Sequence, residues 1–446
     1  MRAMVRALSG VLVCLTVACS ADDTVNPQPS GSAPLAEPAT AALVRTLARQ
    51  FDTPVSLQTL PNALCELAVE GAPGAMRLFS DERGVATFYA QAIAEPDRAR
   101  QLTLRCADDT GNRRSHPIVF QPGEAGSASV LAQEAQRTAL EATPHPSATV
   151  LPALSAADAD ALTNDDIVRL GYPPRTNADR ALGEHAHWLS LVSRPITVLP
   201  PRMIDNPGVK HRAAIPNGPA SSSNWSGLVL TGTAGYGYVY GTYVVPKVAT
   251  SGTHNSSFWV GLDGWNTGDV VQDGSEQDVS TFFWFQVSTY RAWVEYYPLN
   301  EQSLSLSIRP GHTIEAWTWM SNSSGYSGNT AQIGDGGYGW FYLYDATTGT
   351  ATGFLSIKQP SNAPAFAGSS VEWIMERPES NGSITTLADY GTAAMSSLTA
   401  LDWTGAAHSY QTDPYEIVTM MNGSDTLSTA SVGSSGIVDF QWVSYQ

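Results

Sequence analysis

Val371-Glu372-Trp373-Ile374-Met375-Glu376 is the stretch that decides the fold, because apolar residues recur at every second position. In a strand, the first, third and fifth residues would share one face, while Glu372, Ile374 and Glu376 would share the other. The apolar face predicts packing against a protein core. We therefore expect Glu372 to point away from that core, at the floor of a cleft. The alternative is an ordinary solvated strand residue.

The same alternation recurs from Ser221 to Gln446, in short runs separated by Gly, Ser, Asn and Asp. Almost no stretch of this half has the 3.6-residue period of an amphipathic helix. This pattern predicts an all-β fold, an antiparallel β-sandwich, for the domain at residues 215–446. Further runs of this kind are Tyr236-Gly237-Tyr238-Val239-Tyr240, Phe282 to Val287, Ala292 to Tyr297 and Trp340-Phe341-Tyr342-Leu343-Tyr344.

The first 41 residues predict export rather than a folded domain. Within residues 1–20, basic residues precede an apolar stretch from Leu8 to Ala18 that is too short to span a bilayer, as in a signal peptide. Leu15-Thr16-Val17-Ala18-Cys19 resembles a bacterial lipobox, with Thr16 where Leu is usual, so Cys19 is a candidate lipid tether to a membrane. Residues 21–41 are rich in Pro, Ser and Asp and predict a disordered linker. We expect a protein that is secreted or attached to the cell envelope.

Two further segments precede the sandwich. Residues 42–122 contain short alternating runs and predict a small β unit, in which Cys65 and Cys106 are expected to form a disulfide in an oxidising compartment. Residues 123–214 have helical patterns, for example from Ala178 to Val192, and predict a helical propeptide that covers or chaperones the sandwich. An interdomain linker is the alternative. We expect Lys210 to Asn217 to be an exposed boundary that is cut in acid.

The composition bears on which partners the protein can bind and on the pH at which it works. The net charge of −17 comes with 15% charged residues, and nucleic acid is disfavoured as a partner because phosphate binding needs clusters of Lys and Arg. A domain with few fixed cations builds little repulsion when its carboxylates become neutral, which favours acid conditions. A merely polar, secreted β domain is the alternative. The fixed cations after Ser221 are Lys247, Arg291, Arg309, Lys358 and Arg377.

Several kinds of hydrolase are excluded by motif. The sandwich half has no Gly-x-Ser-x-Gly elbow, no His-Glu-x-x-His helix and no cysteine, so thiol chemistry and cysteine-ligated zinc are excluded there. A serine triad on another fold stays open, because triads are recognised by geometry. Its histidine would be protonated in acid, however. No metal or cofactor is expected.

Aromatic residues flank an acid in Trp293-Val294-Glu295-Tyr296-Tyr297-Pro298, where period two places Trp293, Glu295 and Tyr297 on one face. Such a face either lines a substrate groove or is an ordinary aromatic sheet face. Two more stretches that could carry chemistry are Ser257 to Gly264 and Val270 to Asp278.

Together these stretches resemble the glutamic peptidases (eqolisins, the scytalidopepsin B-like peptidase family G1), over nearly all of Ser223 to Gln446. The precursor resembles bacterial members, through Leu170 to Arg175, His187-Trp188-Leu189 and Ser193-Arg194-Pro195. The resemblance in the sandwich is carried by Asn224-Trp225-Ser226-Gly227, Trp259 to Gly264, Gln272-Asp273-Gly274, Trp293 to Pro298, Glu372 to Glu376 and Tyr390-Gly391.

The resemblance implies a concanavalin-like sandwich of two large antiparallel sheets and a catalytic pair, Gln272 and Glu372. Glu372 would take a proton from the attacking water and return it to the leaving nitrogen, and Gln272 would donate to the oxyanion. Polypeptides would be the substrates, and a monomer is expected. Residues that would orient the pair or bind the peptide are Trp259, Asp263, Trp293, Glu295 and Tyr297.

Asp273 departs from the family pattern, in which a small residue follows the glutamine, and it is expected to alter the pH profile or the local hydrogen bonding. Two other functions stay open. A lectin or glycosidase would use Glu295 and Glu372 as paired acids, since a retaining glycosidase needs two carboxyl groups about 5 Å apart. An anchored surface protein without catalysis would act through the unit that contains Cys65 and Cys106.

Overall fold

The computed structural model describes residues 43–46, 54–69, 75–92, 100–121, 145, 147–175, 184–232, 235–248, 252–282, 285–321 and 337–445. The predicted signal peptide, the candidate lipid site at Cys19 and the linker at 21–41 lie outside these residues. Among the described helices, none is both long and apolar enough to cross a bilayer.

The described residues of the N-terminal β region form seven strands. Five of them form one sheet in the order β1-β7-β6-β3-β4. Cys65 and Cys106 lie directly opposite each other on β3 and β6 and are joined by a disulfide. The strands are β1 Leu43–Thr46, β2 Pro54–Gln58, β3 Leu64–Val69, β4 Met76–Phe79, β5 Val85–Ala92, β6 Arg100–Ala107 and β7 Arg113–Gln121.

The described part of the segment between this region and the sandwich contains three helices and several short strands. Of its helices, α2 begins with a capping box between Thr163 and Asp166 and ends at Gly171, whose φ is 93°. The other described elements of this segment are short strands, several of which pair with strands of the sandwich. The elements are β8 Thr149–Leu151, α1 Ala156–Ala161, α2 Asn164–Leu170, α3 Glu184–Val192, β9 Ile196–Val198, β10 Met203–Asp205, β11 Val209–Lys210, β12 Pro216–Gly218 and β13 Ser221–Ser222.

The predicted all-β sandwich is confirmed for the C-terminal half. Its first sheet has the order β18-β17-β16-β24-β14, and its second has the order β23-β21-β20-β15-β27-β31-β30-β29, with all neighbours antiparallel. The strands are β14 Trp225–Leu230, β15 Tyr236–Val244, β16 His254–Leu262, β17 Val270–Phe282, β18 Phe285–Tyr297, β19 Gln302–Leu304, β20 Thr313–Ser321, β21 Tyr338–Asp345, β22 Thr350–Ala351, β23 Leu355–Lys358, β24 Val371–Glu376, β25 Glu379–Ser380, β26 Ser383–Ile384, β27 Thr392–Asp402, β28 Ala407–His408, β29 Tyr415–Asn422, β30 Asp425–Val432 and β31 Val438–Trp442.

Strand β24 shows how the core is built. Its residues Val371, Trp373 and Met375 are buried in the cluster between the two sheets, as the alternation predicts. Ile374 is also buried, but in a separate cluster on the other face of the first sheet. Both faces of this sheet are therefore covered, and its outer face holds the site residues.

The regions that precede the sandwich contact both of its sheets. Strand β5 of the N-terminal region pairs with β18, and the β18 residue Val287 packs in the core of that region. Helices α1 to α3 contribute Ile167 and Trp188 to a cluster on the outer face of the second sheet, which presents aromatic residues such as Trp317 and Tyr342. The regions before the sandwich are therefore continuous with it in hydrogen bonding and packing.

Candidate active site

Gln272 and Glu372 flank one glycine on the outer face of the first sheet. Gly261 on β16 lies directly opposite both of them, with Gln272 on β17 and Glu372 on β24. Residues directly opposite each other in antiparallel strands share a face. Since neighbouring strands lie about 4.8 Å apart, the backbones of the two residues stand about 10 Å apart across a position without a side chain.

The gap between the two side chains depends on Gly261. A Cβ atom at this position would lie 2.8 Å from the Trp259 ring and 3.2 Å from the Cβ of Gln272. Contacts this short would force one of these side chains to move. The glycine therefore keeps open the space that the amide and the carboxyl group share.

The Glu372 side chain is fully buried. Burial raises its pKa well above the usual range, the Ser370 hydroxyl opposes this rise, and the charges of Asp263 and Asp269 add to it. Among the described residues, no group makes a well-formed hydrogen bond to either carboxyl oxygen. A carboxyl group in this state keeps its proton into weakly acid solution and is free to exchange it.

Gln272 is buried and faces a segment that we call the strap, residues 209–215. Its side-chain amide nitrogen donates a hydrogen bond to the backbone carbonyl of His211. Glu295, which lies opposite Gln272 on β18, accepts a hydrogen bond of 2.8 Å from the backbone N–H of the same histidine. The row Glu372, Gly261, Gln272, Glu295 thus runs under the strap.

Three predicted aromatic residues lie on the same outer face. The indole nitrogen of Trp259 donates to Glu376 over 2.8 Å. Trp293 stacks on the His211 ring, with centroids 3.6 Å apart and an angle of 7° between the planes. Tyr297 is half-buried, with the Lys210 amine 6.0 Å from its ring centre. These rings therefore line the surface on which the strap rests.

Asp263 lies on this sheet but does not face the strap. Its carboxylate accepts hydrogen bonds from the backbone N–H groups of residues 367, 368 and 369, at 2.8, 3.0 and 2.6 Å. Its own N–H donates to the carbonyl of Ser370 over 3.1 Å. Asp263 thus holds the loop that leads into β24 and positions Glu372, rather than contacting the peptide that lies over the sheet.

Asp273 points to the opposite face from Gln272, into the interior of the sandwich. Its strand neighbours Val260 and Val294 belong to the core between the sheets. Burial raises the pKa of Asp273 well above its usual range, although Thr318 and the backbone of Trp317 oppose the rise. Alternation therefore turns this carboxyl group away from the pair, and its effect on the pH profile stays a prediction.

The strap crosses the outer face in an extended form. The N–H of Ala214 donates to the carbonyl of Gly264 over 3.0 Å. The Asn224 amide donates to the carbonyls of Arg212 and Ala213 over 3.2 and 3.3 Å. The strap is thus held on both sides of the Gln272–Glu372 row by hydrogen bonds to its backbone.

The sequence analysis treats Lys210 to Asn217 as an exposed boundary, and for His211 this is wrong. The His211 side chain is fully buried. Its Nε2 lies 3.0 Å from Glu276 and 3.3 Å from Glu301, and its Nδ1 lies 3.4 Å from Glu376. Burial alone would lower the pKa of His211, but these carboxylates raise it well above its usual value.

Arg291 completes this acidic cluster. It lies opposite Glu276 and contacts that residue at 2.7 Å and Glu301 at 2.7 Å, and it also pairs with Asp278. His211, Glu276 and Glu301 lie close enough together to ligate a metal ion. The imidazole and the guanidinium together supply positive charge to these carboxylates, so we assign no metal. Sequence reasoning missed the cluster. Alternation would have placed Glu276 on the same face of β17 as Gln272, which lies four residues before it.

Comparisons with known proteins concern the family to which residues 223–442 are similar. The family model described as "Peptidase A4 family" matches residues 223–442. The chain is 26% identical to Aspergillopepsin-2 of Aspergillus niger over 201 residues, which is 40% of this chain and 64% of that protein. It is 32% identical to Scytalidopepsin B of Scytalidium lignicola over 105 residues, which is 23% of this chain and 38% of that protein. The chain thus matches less than two thirds of either relative's length.

A solved structure, scytalido-glutamic peptidase with a transition state analog inhibitor, aligns with a TM-score of 0.41 and 21% sequence identity. The alignment covers 50% of this chain and 98% of that chain. The family match and the β-sandwich fold of the matched region together place this chain in a class of β-sandwich peptidases. Through residues 223–442, the chain belongs to the Peptidase A4 family, the glutamic peptidases.

Proposed function

We propose that this protein is an exported endopeptidase that hydrolyses peptide bonds in acid solution through Glu372 and Gln272. The observation that carries the proposal is the shared row, in which the two side chains flank Gly261 on the face that an extended peptide already covers. A peptide bond held over Gly261 would have an acid–base group on one side and a hydrogen-bond donor on the other.

The reaction follows from these two groups. Ionised Glu372 takes a proton from a water molecule, whose oxygen attacks the scissile carbonyl carbon. The carbonyl electron pair moves to oxygen, where the Gln272 amide stabilises the negative charge. Glu372 then passes its proton to the leaving nitrogen, the C–N bond breaks, and a carboxylic acid and an amine leave. The raised pKa of Glu372 suits this role, because the group must both release and hold a proton in acid.

The strap supports this assignment and the idea that the protein is made as an inactive precursor. Gln272 already donates to a peptide carbonyl, that of His211, which is the contact that its proposed role requires. An extended segment over the row excludes a substrate from the same place. We therefore infer that residues 123–214 form an inhibitory propeptide, released by a cut between Lys210 and Asn217 at low pH.

A glycosidase that uses Glu295 and Glu372 is less well supported. These residues lie at the two ends of the row, three strand spacings or about 14 Å apart at the backbone. A retaining glycosidase needs carboxyl groups about 5 Å apart. Glu295 is also engaged by the backbone of His211.

Cleavage of denatured casein by the full chain tests the proposal. After incubation at about pH 3, which lies below the reference pKa of Glu, we expect casein fragments despite pepstatin, and a new N-terminus between Lys210 and Asn217. An intact leader and intact casein after incubation in acid would contradict the proposal.

Gly261→Ala should lower kcat for casein peptides about 10- to 100-fold, because a shift of about 1 Å in a catalytic side chain has effects of this size. The added methyl group must displace Trp259 or Gln272. Gly433→Ala is the matched control, since the nearest atom to its added Cβ is the Ser435 hydroxyl at 3.6 Å. Equal kcat values for the two variants would show that the gap over Gly261 has no role.

A further inference from the structure

The His211 side chain fills a closed pocket beside the proposed catalytic row. Trp293 forms one wall, against which the imidazole stacks. Carboxyl groups from β17, from β24 and from the chain after β18 surround the two ring nitrogens. The pocket therefore matches the imidazole in both shape and charge.

The backbone of the same residue relates this pocket to the reaction. The His211 carbonyl accepts its hydrogen bond from Gln272, and its N–H donates to Glu295. Under the proposed function, Gln272 is the group that receives the oxygen of the scissile carbonyl. A substrate bound in this way would place the side chain of the residue that contributes this carbonyl in the pocket of His211.

The charges around the pocket favour a cation. The carboxyl groups that face it are Glu276 and Asp278 on β17, Glu376 on β24, and Glu301, and the one cation among these described neighbours is Arg291. Glu295 on β18 is occupied by the backbone N–H. A neutral occupant would leave buried carboxylates without a counter-charge, which is unfavourable.

The pocket also distinguishes between cations. A flat ring satisfies the stack on Trp293 at 3.6 Å, and two nitrogens at opposite edges reach Glu376 on one side and Glu276 on the other. A lysine amine has no ring and offers one charged point. An imidazole has a reference pKa of about 6.5, so it carries the needed charge in the acid range where the enzyme would work.

We propose that this pocket, formed by Glu276, Glu301, Glu376 and Trp293, selects histidine on the carbonyl side of the scissile bond. The inference rests on the proposed function and goes beyond it, because it names the substrate class. His211 of the strap is then a built-in occupant of the specificity pocket. Peptide substrates displace it after the leader is cut.

Two peptides that differ at one residue test the inference. In the first, histidine contributes the scissile carbonyl, and in the second, phenylalanine does. With the acid-processed full chain at about pH 4, where imidazole is charged, we expect kcat/KM to be at least 10-fold higher for the histidine peptide. The ratio should fall as the pH rises past 6.5, as free histidine loses its charge.

A variant adds a second readout. Glu276→Gln keeps the side-chain shape but removes a charge, and it should lower kcat/KM for the histidine peptide at least 10-fold more than for the phenylalanine peptide. Asp439→Asn, at an exposed position of β31 in the second sheet, is the matched control and should leave the ratio unchanged.

The outcomes separate the two proposals. Cleavage of both peptides with equal kcat/KM, or with a ratio that does not change with pH, would overturn the histidine pocket and leave the peptidase assignment standing. If Glu276→Gln fails to fold, the pH dependence of the kcat/KM ratio of the two peptides in the unmodified enzyme decides whether the histidine pocket stands. Absence of cleavage of casein and of both peptides would overturn the peptidase assignment and the pocket with it.

Discussion

Glu372→Gln should lower kcat for casein peptides by at least about 100-fold, the usual contribution of a general acid–base group. The substitution keeps the shape of a fully buried side chain and removes only its ability to carry a proton. Because burial disfavours the ionised form of Glu372, the variant should unfold at the same temperature as the unmodified protein or a higher one at neutral pH. Loss of activity with retained stability would therefore assign the chemistry to the carboxyl group.

Gln272→Ala should have a similar effect through a different step. Loss of one oxyanion donor typically lowers kcat by about 100-fold or more. Because an amide does not titrate, the residual activity should keep the shape of the original pH profile. Steady-state kinetics from about pH 2 to 7, across the reference pKa of Glu, would measure this. A variant that keeps full kcat would point to a different catalytic pair.

Asp273→Asn is expected to have a large effect on the stability of the protein. The folded-state pKa of Asp273 is raised, so its contribution to stability is fully present below the unfolded pKa of about 3.9 and is lost as the pH rises through the folded pKa. Asparagine does not ionise, so the variant does not lose this stability as the pH rises. We expect the variant to gain about 2 kcal/mol or more at pH 7, from the usual cost of a buried group without adequate partners.

Thermal unfolding at about pH 3 and pH 7, either side of the reference pKa of Asp, measures this gain. The melting temperature of Asp273→Asn should exceed that of the unmodified chain by a few degrees at pH 7 and by little at pH 3. Asp439→Asn, at an exposed position of β31, should change little at either pH. Equal gains at both pH values would show that ionisation of Asp273 does not limit the stability.

The alternation of Val371 to Glu376 was sufficient to predict the strand, its buried face and the side on which Glu372 lies. The alternation of β17 likewise turns Gln272 and Asp273 to opposite faces, although the sequence analysis left Asp273 near the pair. Sequence could not give the register of β24 against β16, because the partners Gly261 and Glu372 lie 111 residues apart and are selected by packing.

The acidic cluster shows a second limit of sequence reasoning. Its members come from the strap, from β17, from β18 and from the turn that follows β18, and no local pattern joins them. A basic run around His211 predicts exposure, since charged residues are rarely buried without partners. The partners exist, but they are contributed by chain segments that lie 65 and 90 residues later in the sequence.

Strand β5 of the N-terminal region pairs with the first residues of β18, Phe285 to Ser288, and β19 pairs with Trp293 and Val294 further along. These partners occupy hydrogen-bonding groups that would otherwise form the rim of the first sheet. A processed form that lost the N-terminal region would expose the backbone groups of Phe285 to Ser288 that β5 covers, as a template for strands of other chains. The region that precedes the sandwich thus also protects the protein from edge-to-edge aggregation.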